Sequence, residues 1–293
     1  MTGLIAALAV SLALSPGQVD GDLLKWKLKE GETFYVRSTN ATDQTISVGG
    51  QNQEQKTEHT SVDAYKVTKA TADGYTLEIT TLQSTTETNI ALGGLGSFDK
   101  DMVGEKLTVT LDKDFKVKTV KGVDALLKKL TDGTPAAKAL TDSVISEGTL
   151  KKAVQDLFRS GPGKPAKVGD EWKADETTPL GTSGELTAKM DFKYAGTKDG
   201  VEEVTFTGKA KLSPPKETPA DAMFKTVKSD IKSDKYTGTS RFDSKVGRLK
   251  QTEELLTLKG TMTIAAGGME VEVDVASKAT SKVEVFDKSP IID

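Results

Sequence analysis

The sequence GVDALLKKLTDGTPAAKALTDSVISEGTLKKAVQDLF, from Gly122 to Phe158, differs most from the rest of the chain because it favours helix. Two apolar stripes in it follow the i, i+3, i+4, i+7 spacing of an amphipathic helix: Val123, Leu126, Leu127 and Leu130, then Leu150, Ala153, Val154 and Leu157. Between them, Thr134 and Pro135 predict the N-cap and first-turn proline of a further helix, with Ala136, Leu140 and Val144 facing inward. Such short helices are marginal in isolation, so we expect them to pack on the apolar face of a sheet.

Outside this stretch, apolar and polar residues alternate with the period of two that is typical of half-buried strands. This alternation is clearest in three segments: Tyr75 to Leu82, Leu186 to Tyr194, and Met269 to Val275. Glycine-containing turns predict hairpins beside them at Ala72-Asp73-Gly74, Asp199-Gly200 and Ala266-Gly267-Gly268. In Asp20 to Lys29, alternation of Leu24, Trp26 and Leu28 with lysines predicts a strand whose outer face is positive.

Three further segments complete the secondary-structure prediction. Thr218 to Lys232 is predicted as a helix, with Ala220, Met223, Phe224, Val227 and Ile231 on one stripe. Asn89 to Gly104 is predicted as a glycine-rich loop, and Ser160 to Lys167 as a linker rich in proline and glycine. The predicted fold is mainly β (α+β), with curved antiparallel sheets and amphipathic helices covering one face.

The two halves of the chain resemble each other weakly. Gly31-Glu32-Thr33-Phe34 matches Gly169-Asp170-Glu171-Trp172, and the turn at Asp73-Gly74 matches the turn at Asp199-Gly200. We interpret this as a duplication, although β patterns also resemble one another by chance. The predicted organisation is a signal peptide (residues 1–15), a first β-rich half (20–159), a linker (160–167) and a second β-rich half (168–293).

Composition limits the possible chemistry. The 293 residues carry a formal net charge of −3, one histidine and no cysteine, which excludes disulfides and thiol chemistry. Leu4 to Leu14 is a continuous apolar run of the length of a signal-peptide core, although no lysine or arginine precedes it. We therefore expect export to the periplasm, cell envelope or medium; a buried N-terminal helix is the alternative. The sequence has no basic stripe with interleaved aromatic residues, so a nucleic-acid partner is not expected.

Few motifs indicate a site. His59 lies in a polar run and is predicted as a solvated side chain. Gly93-Gly94-Leu95-Gly96 lacks the rest of a phosphate loop, and Ser229 with Lys232 lacks the partner motifs of penicillin-recognising enzymes. Glu270, Glu272 and Asp274 share a strand face, which favours a solvated surface that blunts an edge or pairs with Lys25, Lys27 and Lys29. No catalytic residue, metal site or cofactor is predicted.

The segment Leu24 to Phe34 (LKWKLKEGETF), taken with Gly169-Asp170-Glu171-Trp172, resembles an uncharacterised family of exported bacterial β-rich proteins with no assigned function. These are turn and core residues, so the resemblance implies no site residue. In architecture alone, the predicted fold is similar to half-barrel envelope lipoprotein carriers, whose concave apolar face holds acyl chains. That similarity is an analogy of fold.

These observations predict a non-enzymatic exported protein that binds an apolar, lipid-like ligand or an envelope partner. The residues expected to line a ligand cavity are Tyr75, Leu77, Ile79, Phe192, Tyr194, Val204 and Phe206. Two alternatives stay open: the same residues fill a solid core, or the protein is a structural scaffold of the envelope without a small ligand. No transmembrane span is expected in the mature chain.

Overall fold

A computed structural model describes residues 24–89, 98–131, 147–158, 166–216, 224–266 and 268–291. The strands in these ranges are β1 (Thr33–Val48), β2 (Gln51–Thr71), β3 (Gly74–Thr88), β4 (Lys106–Asp112), β5 (Val117–Lys121), β6 (Glu171–Pro179), β7 (Glu185–Lys198), β8 (Val201–Ser213), β9 (Phe224–Ser229), β10 (Lys232–Asp243), β11 (Arg248–Ala266) and β12 (Met269–Phe286). The helices are α1 (Phe98–Met102), α2 (Val123–Thr131) and α3 (Glu147–Phe158), and a 3₁₀ turn spans Gly181–Ser183.

All of these strands belong to one antiparallel sheet with the order β5-β4-β3-β2-β1-β12-β11-β10-β8-β7-β6, and β9 pairs with β11. The chain starts near the middle with β1 and runs outward to β5 at one edge. It resumes at β6, at the opposite edge, and returns to β12, which pairs with β1. The sheet is thus mainly β and antiparallel, as predicted, and it is continuous across both halves of the chain.

The helices predicted in Gly122 to Phe158 are confirmed at both ends of that stretch, as α2 and α3. The further helix expected from Thr134 lies in residues 132–146, outside the described part of the chain. Of the stripe predicted for α3, Val154 and Leu157 are buried and Leu150 is half-buried, whereas Ala153 is exposed; Phe158, which follows the stripe, is also buried. Among the described helices, none combines the length and the apolar character needed to cross a membrane.

Helix α3 contacts both edges of the sheet. On one side, the Gln155 side chain accepts a hydrogen bond from the Val117 backbone N–H (2.8 Å) and donates one to the Phe115 carbonyl (3.2 Å). The glutamine amide thereby takes the place of a neighbouring strand for part of β5, which would otherwise be an unpaired edge. On the other side, Lys152 Nζ lies 3.1 Å from Glu176 Oε2 in β6 and also pairs with Asp156 of its own helix.

Phe158, the last residue of α3, lies at the centre of an aromatic cluster on the face of the sheet that carries Phe34 and Tyr65. Its ring centroid is 4.8 Å from that of Trp26 and 6.2 to 6.4 Å from those of Phe34, Tyr65 and Phe115. Trp26 also contacts Phe242 of β10. This cluster therefore joins the N-terminal segment, the middle of the sheet and α3 in one core.

Two predictions of secondary structure are wrong. Leu24 to Lys29 does not enter the sheet as a strand, although its predicted alternation of buried and exposed side chains is present. It runs as an extended segment, with Lys27 N–H donating to the Gly247 carbonyl (2.8 Å). The predicted helix Thr218 to Lys232 is instead strand from Phe224 onward, because β9 finds a partner along the far half of β11. Residues 217–223 lie outside the described part.

Smaller differences concern the loops and the acidic strand. The predicted loop Asn89 to Gly104 contains the short helix α1, and most of the linker lies outside the described residues. Glu270, Glu272 and Asp274 are exposed on one face, as predicted. However, β12 is a central strand between β1 and β11, so these residues do not blunt an edge.

Arg248 ties the start of β1 to the C-terminal segment. Its guanidinium is buried, pairs with Glu32 (3.1 Å) and Asp287, and lies 5.1 Å from the centre of the Phe34 ring. Both carboxylates keep some contact with solvent, whereas the arginine side chain is only 8% exposed. The charge therefore depends on these partners and on the aromatic face beneath it.

We expect Gln155→Ala to lower the free energy of unfolding by about 1–3 kcal/mol, because it leaves a buried N–H and a buried C=O without partners. Denaturant titration measures this loss, and hydrogen exchange of the Val117 amide should accelerate with it. Lys151→Ala is the matched control, since the side chain of this exposed residue of α3 makes, within the described residues, one long hydrogen bond, to the Lys118 carbonyl (3.4 Å). Equal stabilities for the two variants would contradict the assigned role of Gln155.

We expect Arg248→Met to lower the free energy of unfolding by about 1–3 kcal/mol, since methionine keeps apolar packing but removes both ion pairs and the contact with the Phe34 ring. Arg241→Met is the control, because Arg241 forms a more exposed pair with Glu203, for which about 1 kcal/mol or less is typical. Both are measured by denaturant unfolding. If Arg248→Met lowers the free energy of unfolding no more than Arg241→Met does, the buried cluster adds no stability beyond that of an exposed ion pair.

Candidate functional site

The inner face of the sheet is defined as the face that carries Phe34 and Tyr65. Of the seven residues predicted to line a cavity, six are buried on this face: Leu77, Ile79, Phe192, Tyr194, Val204 and Phe206. Tyr75 is half-buried and packs against the same hydrophobic cluster. The structure therefore brings all seven into one core, where other protein atoms cover them. A ligand in contact with them would have to displace part of that cover.

An aromatic row crosses the second half of the sheet on the inner face. Successive ring centroids of Trp172, Phe192, Phe206 and Tyr236 lie 5.1 to 5.6 Å apart. Glycine makes room for this row, because a Cβ at Gly238 would overlap the Phe206 ring, and a Cβ at Gly208 would lie 2.9 Å from the Tyr236 ring. The glycines that interrupt the alternation in these strands therefore allow large rings to lie flat over the backbone.

The inner face of β1, β2 and β3 is polar over most of its length. Alternate positions along each strand share a face, and the register aligns them across the sheet. An irregularity at Leu82 shifts the inward positions of β3, which keeps Ser84 and Thr86 on this face. We call the following set the polar band: Ser38, Asn40, Thr42, Gln44, Gln55, Thr57, His59, Ser61, Asp63, Thr81, Ser84 and Thr86, with Ser281 of β12 and Glu254 of β11 beside them.

The polar band is buried or half-buried although the outer face of the same strands is wet. Asn40, Thr42, Gln44 and Gln55 are buried, whereas Glu54, Lys56 and Glu58 on the outer face are exposed. Polar groups in such positions require hydrogen-bond partners, since desolvation without them is unfavourable. An inward polar surface of this extent is therefore a candidate for binding.

His59 belongs to a hydrogen-bonded chain in the polar band. Thr86 Oγ1 donates to Asp99 Oδ1 (3.1 Å), and Ser84 Oγ donates to the same oxygen (2.6 Å). Because the Thr86 proton is used in this way, its oxygen accepts from His59 Nδ1 (3.0 Å). Neutral His59 then carries its proton on Nδ1, so Nε2 is left as a hydrogen-bond acceptor. Burial lowers the pKa of His59, and the Asp99 carboxylate partly opposes that shift.

The prediction that His59 is a solvated side chain is wrong. The imidazole is 30% exposed, and its Nδ1 lies 3.8 Å from Asp99 Oδ1. Alternate residues of the run around His59 face inward from β2, and the run pairs with equally polar segments of β1 and β3. Along Thr39 to Glu58 polar residues occupy both faces of the strands, and only Ile46 and Val48, beside the turn, are apolar at inner-face positions, so no alternation marked this segment.

Asp63 is an acidic residue of the band on β2. Desolvation raises its pKa to about 6, against the lowering effect of hydrogen bonds from Thr81 (2.8 Å) and Ser61 (3.3 Å). No ion pair in the described part of the chain includes Asp63. Near neutral pH the band therefore holds a carboxylate whose partners there are neutral hydroxyl groups.

Glu202 lies outside the band, at the end of the β7–β8 hairpin, and is held differently. Tyr194 donates to it, as do Thr197 (2.9 Å) and Ser244 (2.9 Å). Desolvation acts to raise the pKa of Glu202, but the three hydrogen bonds outweigh it and the pKa is lowered. The Tyr194 hydroxyl therefore donates a hydrogen bond within the protein rather than to a ligand.

The arrangement is suited to hydrogen bonding rather than to metal ligation. Among the described residues, no group of three or more histidine and acidic side chains could hold a metal ion. The hydroxyls of Ser84 and Thr86 donate to Asp99, so neither is directed toward His59 as a nucleophile would be. The polar band can accept and donate hydrogen bonds along one face, next to the aromatic row.

The raised pKa of Asp63 predicts a pH dependence of stability. Its contribution is fully present below about pH 4, the ordinary aspartate range, and is lost as pH rises through about 6, with an upper limit of about 3 kcal/mol. We expect Asp63→Asn to remove this dependence. Since the lowered pKa of His59 acts in the opposite direction, the variant should lose stability as pH falls below about 6.5.

Denaturant unfolding at pH 4, 6 and 8 checks this prediction. Asp43→Asn is the matched control, because Asp43 is an exposed aspartate on the outer face of β1. The same pH profile for wild type and Asp63→Asn would contradict the assignment.

Comparison with known proteins gives a family. No curated protein matches the chain. Among solved structures, a lipovitellin studied for lipid–protein interactions matches with 10% identity and a TM-score of 0.47, over 91% of this chain and 26% of its own. The chain thus spans about a quarter of that protein. An outer membrane channel from Pseudomonas putida F1 matches with 8% identity and a TM-score of 0.23, over 92% of this chain and all of the channel.

The family model that matches covers residues 60–249, which is more than half of the chain and runs from β2 into β11. Its description is a family of unknown function, DUF6263. This agrees with the resemblance to an uncharacterised β-rich family that the turn and core residues suggested. The chain belongs to this family of unknown function, DUF6263.

Proposed function

We propose that this protein is a non-enzymatic, exported binding protein that holds a lipid-like ligand on the inner face of its sheet. The observation that carries the proposal is the division of that face. One region is apolar and includes the aromatic row, and the other is the polar band. A molecule with an apolar chain and a polar end matches such a surface better than a purely apolar one, because the band offers partners only to polar groups.

The way in which the two sheet edges are joined supports a ligand that enters the inner face. Side chains of α3 connect β5 and β6, through Gln155 on one side and Lys152 on the other. A continuous strand ladder would instead need many backbone hydrogen bonds to break together. Opening one of these edge contacts breaks side-chain interactions rather than a strand ladder, so we propose that a ligand enters the inner face between α3 and an edge while Phe158 stays in the aromatic cluster.

Two further parts of the sequence interpretation belong to the same proposal. The meander β1–β5 and the meander β6–β12 are proposed to be related halves, each beginning at a matching turn, near Gly31 and near Gly169.

Residues 1–15 are proposed as a cleaved signal peptide, which would place the protein in the periplasm, the cell envelope or the medium.

The absence of enzymatic activity is also proposed, on the geometry of the polar band. His59 is the most reactive group there, and its nearest hydroxyls are committed to Asp99. Ligand binding needs only the acceptors and donors that the band presents, whereas acyl transfer would need a nucleophile aligned with His59 Nε2.

A structural scaffold of the cell envelope without a small ligand is the second candidate. The observation that favours it is the burial of the residues expected to line a cavity: Leu77 is 0% exposed and Phe192 is 1% exposed. These side chains already have the contacts of a closed core, so a permanent function without ligand is consistent with them.

Native mass spectrometry of protein purified from its own membranes tests the proposal. We expect a bound species of lipid-like mass that organic extraction removes and that a sixteen-carbon fluorescent fatty amine or alcohol replaces. Protein extracted and refolded without ligand is the control for non-specific adducts. If no lipid co-purifies and neither probe rebinds, the scaffold candidate stands and the binding function is wrong.

Export has its own test. Because small residues suited to cleavage lie around Ala13, the mature N-terminus should fall between Leu14 and Val19 when the envelope fraction is sequenced. A chain that retains Met1 in that fraction would contradict cleavage.

A further inference from the structure

The hairpin turns at the two ends of the sheet differ in charge. At the end where β1 begins, the turns that follow β2, β4, β7 and β10 each contain a charged residue, namely Asp73, Asp114, Asp199 and Lys245. At the opposite end lie the β1–β2 and β11–β12 turns, which are neighbours because β1 pairs with β12. The segments that form these two hairpin ends, Gln44 to Gln53 and Gly260 to Met269, contain no charged residue, although 28% of the chain is charged.

The β11–β12 hairpin projects beyond its neighbour at this end. Pairing of β12 with β1 starts at Val273, opposite Val48, whereas β12 itself starts at Met269. At about 3.4 Å per residue, the hairpin extends roughly 13 Å past the last residue of β1. Of the strands that the structure describes, β11 is the one that pairs with Met269 to Glu272. The hairpin can therefore contact a surface that lies beyond the end of the sheet.

The projecting end carries exposed apolar side chains on the inner face. We call Val48, Ile264, Met269 and Val271 the end patch; the register places Ile264 opposite Val271, and Val48 opposite the buried Val273. Met269 is 55% exposed, and Val48 and Val271 are 37% and 36% exposed. Clustered apolar side chains that remain in water mark a site of contact with another protein or with a membrane.

The outer face of the same hairpin end is charged but balanced. Lys225 of β9 lies in the same register row as Glu270, and Lys228 lies in the same row as Glu272. All four side chains are exposed. Each row therefore combines one positive and one negative charge, and the end patch adds none. A partner surface without net charge is complementary to this end of the molecule.

A lipid surface fits this end better than a protein partner does. Specific protein interfaces form about one hydrogen bond per 100–200 Å², whereas the four side chains of the end patch offer none. Apolar side chains on a projecting hairpin can enter the boundary between headgroups and acyl chains together. Met269 to Glu272 also present backbone groups on the side of β1, and these groups are unfavourable in the hydrocarbon core. Contact with a bilayer should therefore be shallow.

We propose that the end patch docks on the surface of a lipid bilayer with zwitterionic headgroups. Met269 and Val271 of β12 enter the interface, Val48 and Ile264 lie beside them, and the charged outer face stays in water. This docking does not require a ligand on the inner face. It therefore goes beyond the proposed binding function, and each of the two can fail without the other.

Site-specific labels test the contact directly. Because the chain has no cysteine, a single introduced cysteine places a polarity-sensitive fluorophore at one position. Met269→Cys reports on the end patch, and Val246→Cys is the matched control, since Val246 is 41% exposed in the turn after β10, at the opposite end. With phosphatidylcholine vesicles, we expect emission from the label at position 269 to rise at least about twofold, and emission from the control to stay constant. No change at position 269, or equal changes at both positions, would overturn the docking.

A pair of double variants tests the contribution of the patch to affinity. Met269→Ser with Val271→Ser should lower the partition coefficient for phosphatidylcholine vesicles at least about tenfold, measured by flotation, because apolar area is lost from the contact. Val168→Ser with Val246→Ser is the control, since it removes two exposed valines from the opposite end and should change the partition coefficient less than about twofold. Equal losses in the two double variants would contradict the assigned surface.

Ionic strength separates this docking from general electrostatic attraction. Because Lys225 and Lys228 are balanced by acidic residues, binding should change less than about twofold between about 0.05 M and about 0.5 M salt. Binding that falls with salt or requires phosphatidylglycerol would overturn the proposal. A wild-type dimer that the double variant of the end patch dissociates would assign the patch to a second copy instead. If the vesicles do not bind but native mass spectrometry finds a lipid, the docking is wrong and the binding function stands.

Discussion

The contact between Phe158 and Trp26 is the interaction on which the rest of the structure depends. The two rings lie 4.8 Å apart, and Phe34, Tyr65 and Phe115 surround Phe158. A sheet of twelve strands has two free edges and a large apolar face. Exposure of either to water is unfavourable. Through Phe158, α3 is anchored on that face while its polar side chains reach both edges. One helix therefore contacts both edges and buries part of the core at the same time.

The inner face combines two surfaces that seldom share one sheet. Its aromatic row has the packing of a core, with rings seated over Gly208 and Gly238. Its polar band has the composition of a solvent-facing strand, yet Asn40 and Gln44 are buried. Burial raises the pKa of Asp63 and lowers that of His59, so desolvation favours the neutral form of each. Buried polar groups of this kind are unfavourable without hydrogen-bond partners, and this is the observation on which the proposed binding function rests.

Local patterns predicted the secondary structure well for segments whose conformation does not depend on a particular neighbouring strand. Both ends of the helical stretch, the hairpin turns at Gly74 and Gly200, and the long alternating strands follow from spacing and turn chemistry alone. The errors have one common cause. Leu24 to Lys29 has a strand pattern but no strand partner, and Phe224 to Ser229 has a helical stripe but pairs with β11. In both cases the outcome depends on what lies beside the segment.

The sequence by itself determined the class of fold, the helices at both ends of the central stretch and the family, because these depend on periodicity, glycine positions and core residues within short windows. Tertiary structure decided which polar residues are buried together. Asn40, His59 and Thr86 belong to three different strands, and only the antiparallel register aligns them with Glu254 and Ser281. The spacing of residues along the chain does not reveal that register, so the candidate site could be found only once the strands were paired.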